Sequence, residues 1–240
     1  MRLYIGIDDT DNIDSDFGTG KIARRFENIV PEGCSVWGVV RQQLLFDERI
    51  PYTSHNSSAC VIVDVSDPEQ IDNLLSIAVD HIEHKSASGS DPGLCLACEG
   101  DPALPKLTSF GHRCAAQIVT QKDALQAASG VHLSGHGGTN GGIIGAAAAV
   151  GLTASGWSGR FLEFSGLRNF PDMVSVSDLN RNGIRVVSLD RDAMIPGPAD
   201  MVNTNGWLRP RLWGGKPVLP VARRGDTTWE SVGGKRREQK

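Results

Sequence analysis

An apolar strand that runs straight into a knot of carboxylates limits what this chain can fold into more than any other feature. Residues 2–7 alternate apolar and small side chains, and Asp8, Asp9, Asp11, Asp14 and Asp16 follow within nine positions. Like charges crowded at the end of a buried strand repel unless a cation neutralises them. Hard carboxylate oxygens suit Mg²⁺, which keeps waters and binds through one or two carboxylates plus substrate phosphates. A solvated acidic turn is the alternative, because Asp and Asn are good turn residues. The position directly after a strand, where α/β proteins bind ligands, favours the metal. An EF-hand is excluded, because Ile13 interrupts the ligand spacing and the Gly and closing Glu are misplaced. Asp8, Asp9 and Asp11 are the candidate metal ligands.

Periodicity along the rest of the chain predicts alternating strands and helices. Ile22, Ala23, Phe26 and Ile29 recur at helical spacing from Gly20 to about Val30, whereas 34–45 and 58–65 read as β-branched, apolar strands. Asp67 and Pro68 are placed to cap and open a helix carrying Ile71, Leu74, Leu75, Ala78 and Ile82 on one face. A short strand is expected at 94–98, a helix over 105–128 broken near Thr120, a glycine-rich loop over 130–142 and a helix over 143–150. Beyond Gly151 the pattern turns to short strands and loops. The expected fold class is α/β, a mixed sheet with flanking helices and a smaller β-rich C-terminal portion from about 152.

The 240 residues carry a net charge of −4, but residues 205–240 hold nine Lys/Arg against three acids, so an acidic body meets a basic end. An acidic body argues against a dedicated duplex-DNA binder. The segment 226–240 is expected to be a solvated basic tail. Five cysteines make no disulfide framework, no apolar run reaches the ~18 residues of a membrane span, and the first residues are too short for a signal peptide. A cytoplasmic location is the expectation. Cys95 and Cys98 lie among apolar residues with no second pair at zinc spacing, and read as strand core.

Two glycine segments could cradle phosphate. Gly18-Thr19-Gly20-Lys21 opens a helix, where amides and a lysine attract anions. It is not a P-loop, since Ser15 and Ile22 stand where that motif needs Gly and Ser or Thr. The second segment, with Gly135, His136, Gly137, Gly138 and Asn140, spends conformational entropy that close backbone approach to phosphate would justify. Tight packing of the small-residue helix that follows is the competing explanation.

Gly6-Ile7-Asp8-Asp9-Thr10-Asp11, Ile50-Pro51-Tyr52, Asp91-Pro92-Gly93 and Gly142-Ile143-Ile144-Gly145-Ala146 occur in an order that resembles the N-terminal kinase-like domain of archaeal tRNA-isoleucine 2-agmatinylcytidine synthetase. The resemblance extends to Pro217-Val218-Leu219, so it implies one kinase-like domain over 1–225. It implies an ATP-dependent phosphotransferase or ligase-like enzyme, with ATP and Mg²⁺ as cofactors. ATP would activate an acceptor oxygen, which in that family is the oxygen of a wobble cytidine that agmatine then attacks. Asp8, Asp9 and Asp11 would be catalytic through the metal, and Thr19 matches a threonine that is phosphorylated. Tyr52, His55, Asn56 and Asp91 would meet the acceptor. Thr53 and His55 replace the Lys and Arg usual in the family, and the later tRNA-binding domains have no room in 240 residues. A small-molecule acceptor is therefore expected ahead of tRNA. The alternatives are a non-catalytic nucleotide-binding module, or a tRNA-modification subunit served by a separate RNA-binding partner.

Overall fold

The computed structural model describes residues 1–15, 17–50, 55–190 and 194–233. The chain divides into two compact units, Met1–Ser155 and Gly156–Lys240. Charge divides with them: ten Lys/Arg face nineteen Asp/Glu in the first, and fourteen face nine in the second.

The first unit is built on an antiparallel sheet of β1 (Arg2–Asp8), β2 (Cys34–Gln43), β3 (Ser57–Val65), β4 (Gly93–Cys98) and β5 (His132–Gly135), in the order β5-β4-β1-β3-β2. Residues of both parities are buried along β1 and β3, from Leu3, Ile5 and Ile7 to Tyr4, so both faces of the sheet are covered. The helices are α1 (Thr19–Arg25), α2 (Gln70–Lys85), α3 (Leu104–Ala116), α4 (Gln121–Ala127) and α5 (Ile143–Ala154).

Helix α5 is apolar all round, with Gly145 to Thr153 buried, which marks it as the central helix of the unit. Its closeness to the sheet explains two glycines of the recurring motifs. A Cβ on Gly6 would strike the carbonyl of Ala146, and one on Gly93 would strike the backbone at Gly142. On the other side of α5, Gly151 lets the backbone of α3 approach at Leu107. The small-residue helix is thus a packing device.

The second unit holds β6 (Arg160–Glu163), β7 (Met173–Ser175), α6 (Val176–Arg181), β8 (Arg185–Ser188), β9 (Met201–Asn203), β10 (Arg211–Trp213), β11 (Lys216–Arg223) and β12 (Thr228–Ser231). Its strands run in the order β6-β10-β11-β12-β9-β7, with β8 parallel to β11 and β12 parallel to β9. The mixed α/β class and the β-rich C-terminal portion are both present.

Four boundaries differ from expectation. The helix expected from Gly20 to Val30 is α1 followed by a 3-10 turn over Phe26–Asn28. Helix α2 starts at Gln70, although the Asp67 carboxylate still accepts the Glu69 N–H at 3.0 Å. The segment read as a loop over 130–142 opens with β5, because His132–Gly135 finds a partner along β4. The segment read as a tail contains β12, whose Trp229 is buried and whose backbone pairs with β11 and β9.

Candidate functional site

The acidic segment splits into two halves. Asn12 accepts from the Asp14 N–H and the Ser15 hydroxyl, making an exposed Asx turn with Ile13 and Asp14 in solvent. That half is the solvated turn. Asp8, Asp9 and Asp11 instead line a cleft of about 190 Å³ in the first unit, together with Thr19, His55 and Asn56. Asp16 and Tyr52 lie outside the described residues.

Local chemistry explains how β1 delivers its carboxylates. Asp8 is on the Gly6 face, toward α5, and fits only because Gly145 has no side chain: a Cβ there would fall inside the Asp8 carboxylate. Asp9 takes a left-handed φ of 52°, which Asp tolerates better than most residues. Its carbonyl accepts the Asp91 N–H at 3.2 Å, and the Thr10 carbonyl accepts that of Ala87 at 2.9 Å. These bonds hold the turn against the 86–91 loop.

Burial pushes the Asp8 carboxyl up to about 7, with the charges of Asp9 and Asp11 adding to the rise. Asp9 is raised as well, by burial first and then by Asp91 and Asp11. The cluster therefore crowds negative charge where water cannot fully screen it. Among the described residues no three His, Cys, Asp or Glu groups converge into a preformed metal cage. A donor set of paired hard carboxylates beside a cleft nevertheless fits Mg²⁺, which takes most of its ligands from water and phosphate.

Thr19 is 7% exposed, and its Oγ1 accepts the Thr10 hydroxyl at 2.9 Å and the Thr10 N–H at 3.4 Å. Gly18, at the N-cap of α1, leaves room for the Asp11 carboxylate. Gly20 and Lys21 are not on the cleft, and the Lys21 ammonium sits 3.5 Å from the centre of the Phe17 ring. The side-chain amide of Asn56 donates to the Leu45 carbonyl at 2.7 Å, so that group fastens the strand end.

The second glycine segment does something other than cradle phosphate. The Asp91 carboxylate accepts the N–H of Thr139 at 2.9 Å, of Asn140 at 3.0 Å and of Gly141 at 3.0 Å, and the Thr139 hydroxyl as well. The Asp91 carbonyl takes the Gly142 N–H at 3.1 Å, and the Pro92 carbonyl takes that of His136 at 2.7 Å. The chain thus fills its own anion site at the start of α5. Burial alone would raise the Asp91 pKa, but the Thr139 hydroxyl and the amides of Gly141, Thr139 and Asn140 outweigh it and lower it.

Three expectations are corrected by this. Asp91 is a brace, not a contact for an acceptor. The amides of His136 and Asn140 are spent internally, and Gly135 pairs with Gly93 in the sheet, while Gly137 and Gly138 are off the cleft. The His136 ring also points elsewhere, with Nδ1 2.8 Å from Glu83 and Nε2 2.7 Å from Ser134 Oγ.

Sequence reading missed the apolar wall of the cleft: Leu44, Ile50, Cys114, Ile118, Val119 and Ile144. The exposed Ile118, following the end of α3, was the only local signal for it. Cys95 and Cys98 are in β4, and both are free thiols. Among the described residues no helix is long and apolar enough to cross a membrane.

Comparisons with known proteins agree with the motifs. No family model matches the chain. It is 31% identical over 155 residues to the tRNA-isoleucine 2-agmatinylcytidine synthetase TiaS of Cenarchaeum symbiosum, covering 62% of this chain and 33% of that protein. Among solved structures it resembles a tRNA fluorescent labeling enzyme, at a TM-score of 0.54 and 28% identity, and TiaS in complex with its isoleucine tRNA and ATP, at 0.54 and 26%. A TiaS complex with the same tRNA, AMPCPP and agmatine follows at 0.51 and 26%. Each of the three covers 63% of this chain and 36% of the solved chain. The likeness to tRNA-isoleucine 2-agmatinylcytidine synthetase is therefore present in sequence and in fold, and this chain spans about a third of those relatives' length.

Proposed function

We propose that the first unit binds Mg-ATP and transfers its γ-phosphoryl group to an acceptor oxygen, activating that oxygen for displacement by an amine. One observation carries the reading: Asp8, Asp9, Asp11 and Thr19 share a single cleft with the apolar side chains of Leu44, Ile50, Ile118, Val119 and Ile144. Support comes from the relatives, whose structures include complexes with ATP, tRNA and agmatine.

Asp8, Asp9 and Asp11 would hold the metal. Bound there with the β- and γ-phosphates, it would supply the positive charge that stabilises phosphoryl transfer. The apolar wall gives the nucleobase a dry surface, and the carboxylates, pressed together by the fold, gain most when a cation arrives. Thr19 would take the phosphoryl group transiently: its oxygen bonds to the γ-phosphorus, the bond to the ADP oxygen breaks, and the hydroxyl proton passes to solvent. The acceptor oxygen then bonds to that phosphorus as the bond to Thr19 Oγ1 breaks; the amine nitrogen bonds to the acceptor carbon, the carbon–oxygen bond breaks, phosphate leaves and the amine proton passes to solvent. His55 lies on the same cleft as a polar contact for the acceptor. A small carbonyl compound and a nucleic-acid base both present a suitable oxygen.

Calorimetric titration with Mg-ATP, and with ATP plus chelator, tests the site. Metal-dependent binding tighter than about 1 mM, roughly 4 kcal/mol, is expected. Asp8→Asn should abolish that binding and ATP turnover while leaving the thermal melt in place. Absence of binding by the unaltered protein, or full activity in Asp8→Asn, sinks the assignment.

A further inference from the structure

The second unit carries a run the cleft does not use: Trp207-Leu208-Arg209-Pro210-Arg211-Leu212-Trp213. Burial alternates through it, with Leu208 at 1% and Leu212 at 2% exposure turned inward, while Trp207, Arg209, Arg211 and Trp213 are only partly covered. Within β10 this puts Arg211 and Trp213 on one face, roughly 7 Å apart, with the stacked Trp207 and Arg209 just before them in the chain.

Neighbours extend the row. Arg160 stands directly opposite Arg211 in the pairing of β6 with β10, so two guanidinium groups share one face. The Arg211 pKa is lowered by burial and by Arg160. Guanidinium planes lie against the indoles: Arg168 and Arg209 are 4.6 and 3.9 Å from the Trp207 ring centre, and Arg211 is 5.2 Å from that of Trp213. Glu163 approaches Arg168 only to 3.9 Å and spends an oxygen on the N–H groups of Phe164 and Leu167. The turn joining β10 to β11 is Gly214-Gly215, both at positive φ, and its bare surface seats Trp157, which is 70% exposed.

Two of these features, the facing arginines and the exposed Trp157, cost free energy in the isolated protein. Like charges in register repel, and an indole in water forfeits apolar burial. A repeating anion with flat faces between its charges removes both costs at once. We propose that the surface around Trp157, Arg160 and residues 207–213 binds a single-stranded nucleic acid, its phosphates on the guanidinium groups and its bases stacked on Trp157 and Trp213. The net positive charge of this unit matches such a ligand, whereas an acidic protein would satisfy the arginines without needing the spaced indoles. The inference rests on the second unit alone and is independent of the nucleotide reading of the cleft.

The test is fluorescence anisotropy of a labelled 12-nucleotide oligouridylate titrated with the full chain from 50 to 300 mM salt. Three to four phosphate contacts predict a slope of log K against log salt of about −2 to −3, and Arg209→Ala with Arg211→Ala should make it shallower by about 1.4. Trp213→Ala should weaken binding about tenfold with the slope unchanged. Trp157→Ala and Arg160→Ala, at exposed positions, repeat the two arms where folding is not at stake. Mg-ATP binding by every variant is measured alongside, so a failed cleft is distinguishable from a failed strip. No binding at 50 mM salt overturns the proposal and favours a protein partner. Binding untouched by these variants overturns it too, and moves the contact to the basic segment 235–240. Loss on arginine removal with no effect of either tryptophan reduces the face to a polyanion site and also overturns it.

Discussion

Replacing Asp91 by Ala removes the one side chain that holds the start of α5 to the 86–91 loop, and the cost follows from its bonds. Three backbone N–H groups and one hydroxyl lose their acceptor. Bonds to a charged group are worth about 1.5–3 kcal/mol each when sealed from water. Residues 138–140 are exposed, so the freed groups rehydrate, and about 0.5–1 kcal/mol apiece is the better figure. The sum over the four groups is about 2–4 kcal/mol of local stability, or a roughly 30- to 700-fold rise in exchange at 1.4 kcal/mol per tenfold. Backbone amide hydrogen exchange at Thr139, Asn140 and Gly141 reads it directly. Asp91→Asn should fall about midway, because its amide oxygen can serve Thr139 and Asn140 while its NH₂ faces the Gly141 N–H. The same bonds lower the Asp91 pKa, so their contribution is full above the ordinary Asp value near 3.9 and is lost as pH falls through the lower folded value. A change under about threefold in Asp91→Ala would refute the brace, and the amides would again be open to an external phosphate.

Gly145→Ala should weaken Mg-ATP binding at least about tenfold, for about 1–3 kcal/mol of stability, since the new methyl group drives the Asp8 carboxylate aside; calorimetry and urea melts separate the two effects. Gly6→Ala meets backbone at Ala146 and should cost about 3 kcal/mol or more in the same melts. His81 is held below its usual pKa mainly by burial, with Lys85 and Arg25 adding to the fall against the bond to the Ile22 carbonyl. Its contribution is therefore full above about pH 6.5 and declines as pH drops toward the lower folded value. Urea midpoints from pH 7.5 to 5 should fall in the native protein and fall less in His81→Gln.

The parts of the fold that could be read from sequence are those set by neighbouring residues. Both halves of the break at Thr120 follow from its capping box with Asp123, and β1, β3 and β4 follow from unbroken apolar runs. Strand β5 was hidden because His132-Leu133-Ser134-Gly135 has no apolar pattern and is extended only by its partner across the sheet. The cleft shows the same division. Asp8, Asp9, Asp11 and Thr19 announce themselves by type and position, whereas Ile118, Val119 and Leu44 are ordinary apolar residues until the fold sets them around the carboxylates. The run from Trp207 to Trp213 went unread, because Pro210 and the Gly214-Gly215 turn interrupt its pattern.

Glycine-rich loops invite a phosphate because their amides point outward together, but composition cannot say what those amides meet. Here a carboxylate from the chain occupies the position, so the loop before α5 is rigid before any ligand arrives. On the proposed reading, nucleotide binding then falls to Asp8 and Asp9, which are held in a state that burial disfavours. Gly145 then acquires its meaning: it opens space for the Asp8 carboxylate, while the Asp91 brace sets where α5 begins. The two carboxylates do opposite work, Asp8 from the end of β1 and Asp91 from the loop before β4. Asp91 satisfies amides and lowers its own pKa, whereas Asp8 is left without enough partners and has its pKa raised. On the proposed reading, an arrangement that satisfies one acid and starves the next draws a cation to the starved one, which makes the acidic cluster, rather than the glycine loop, the place to test for a nucleotide's phosphates.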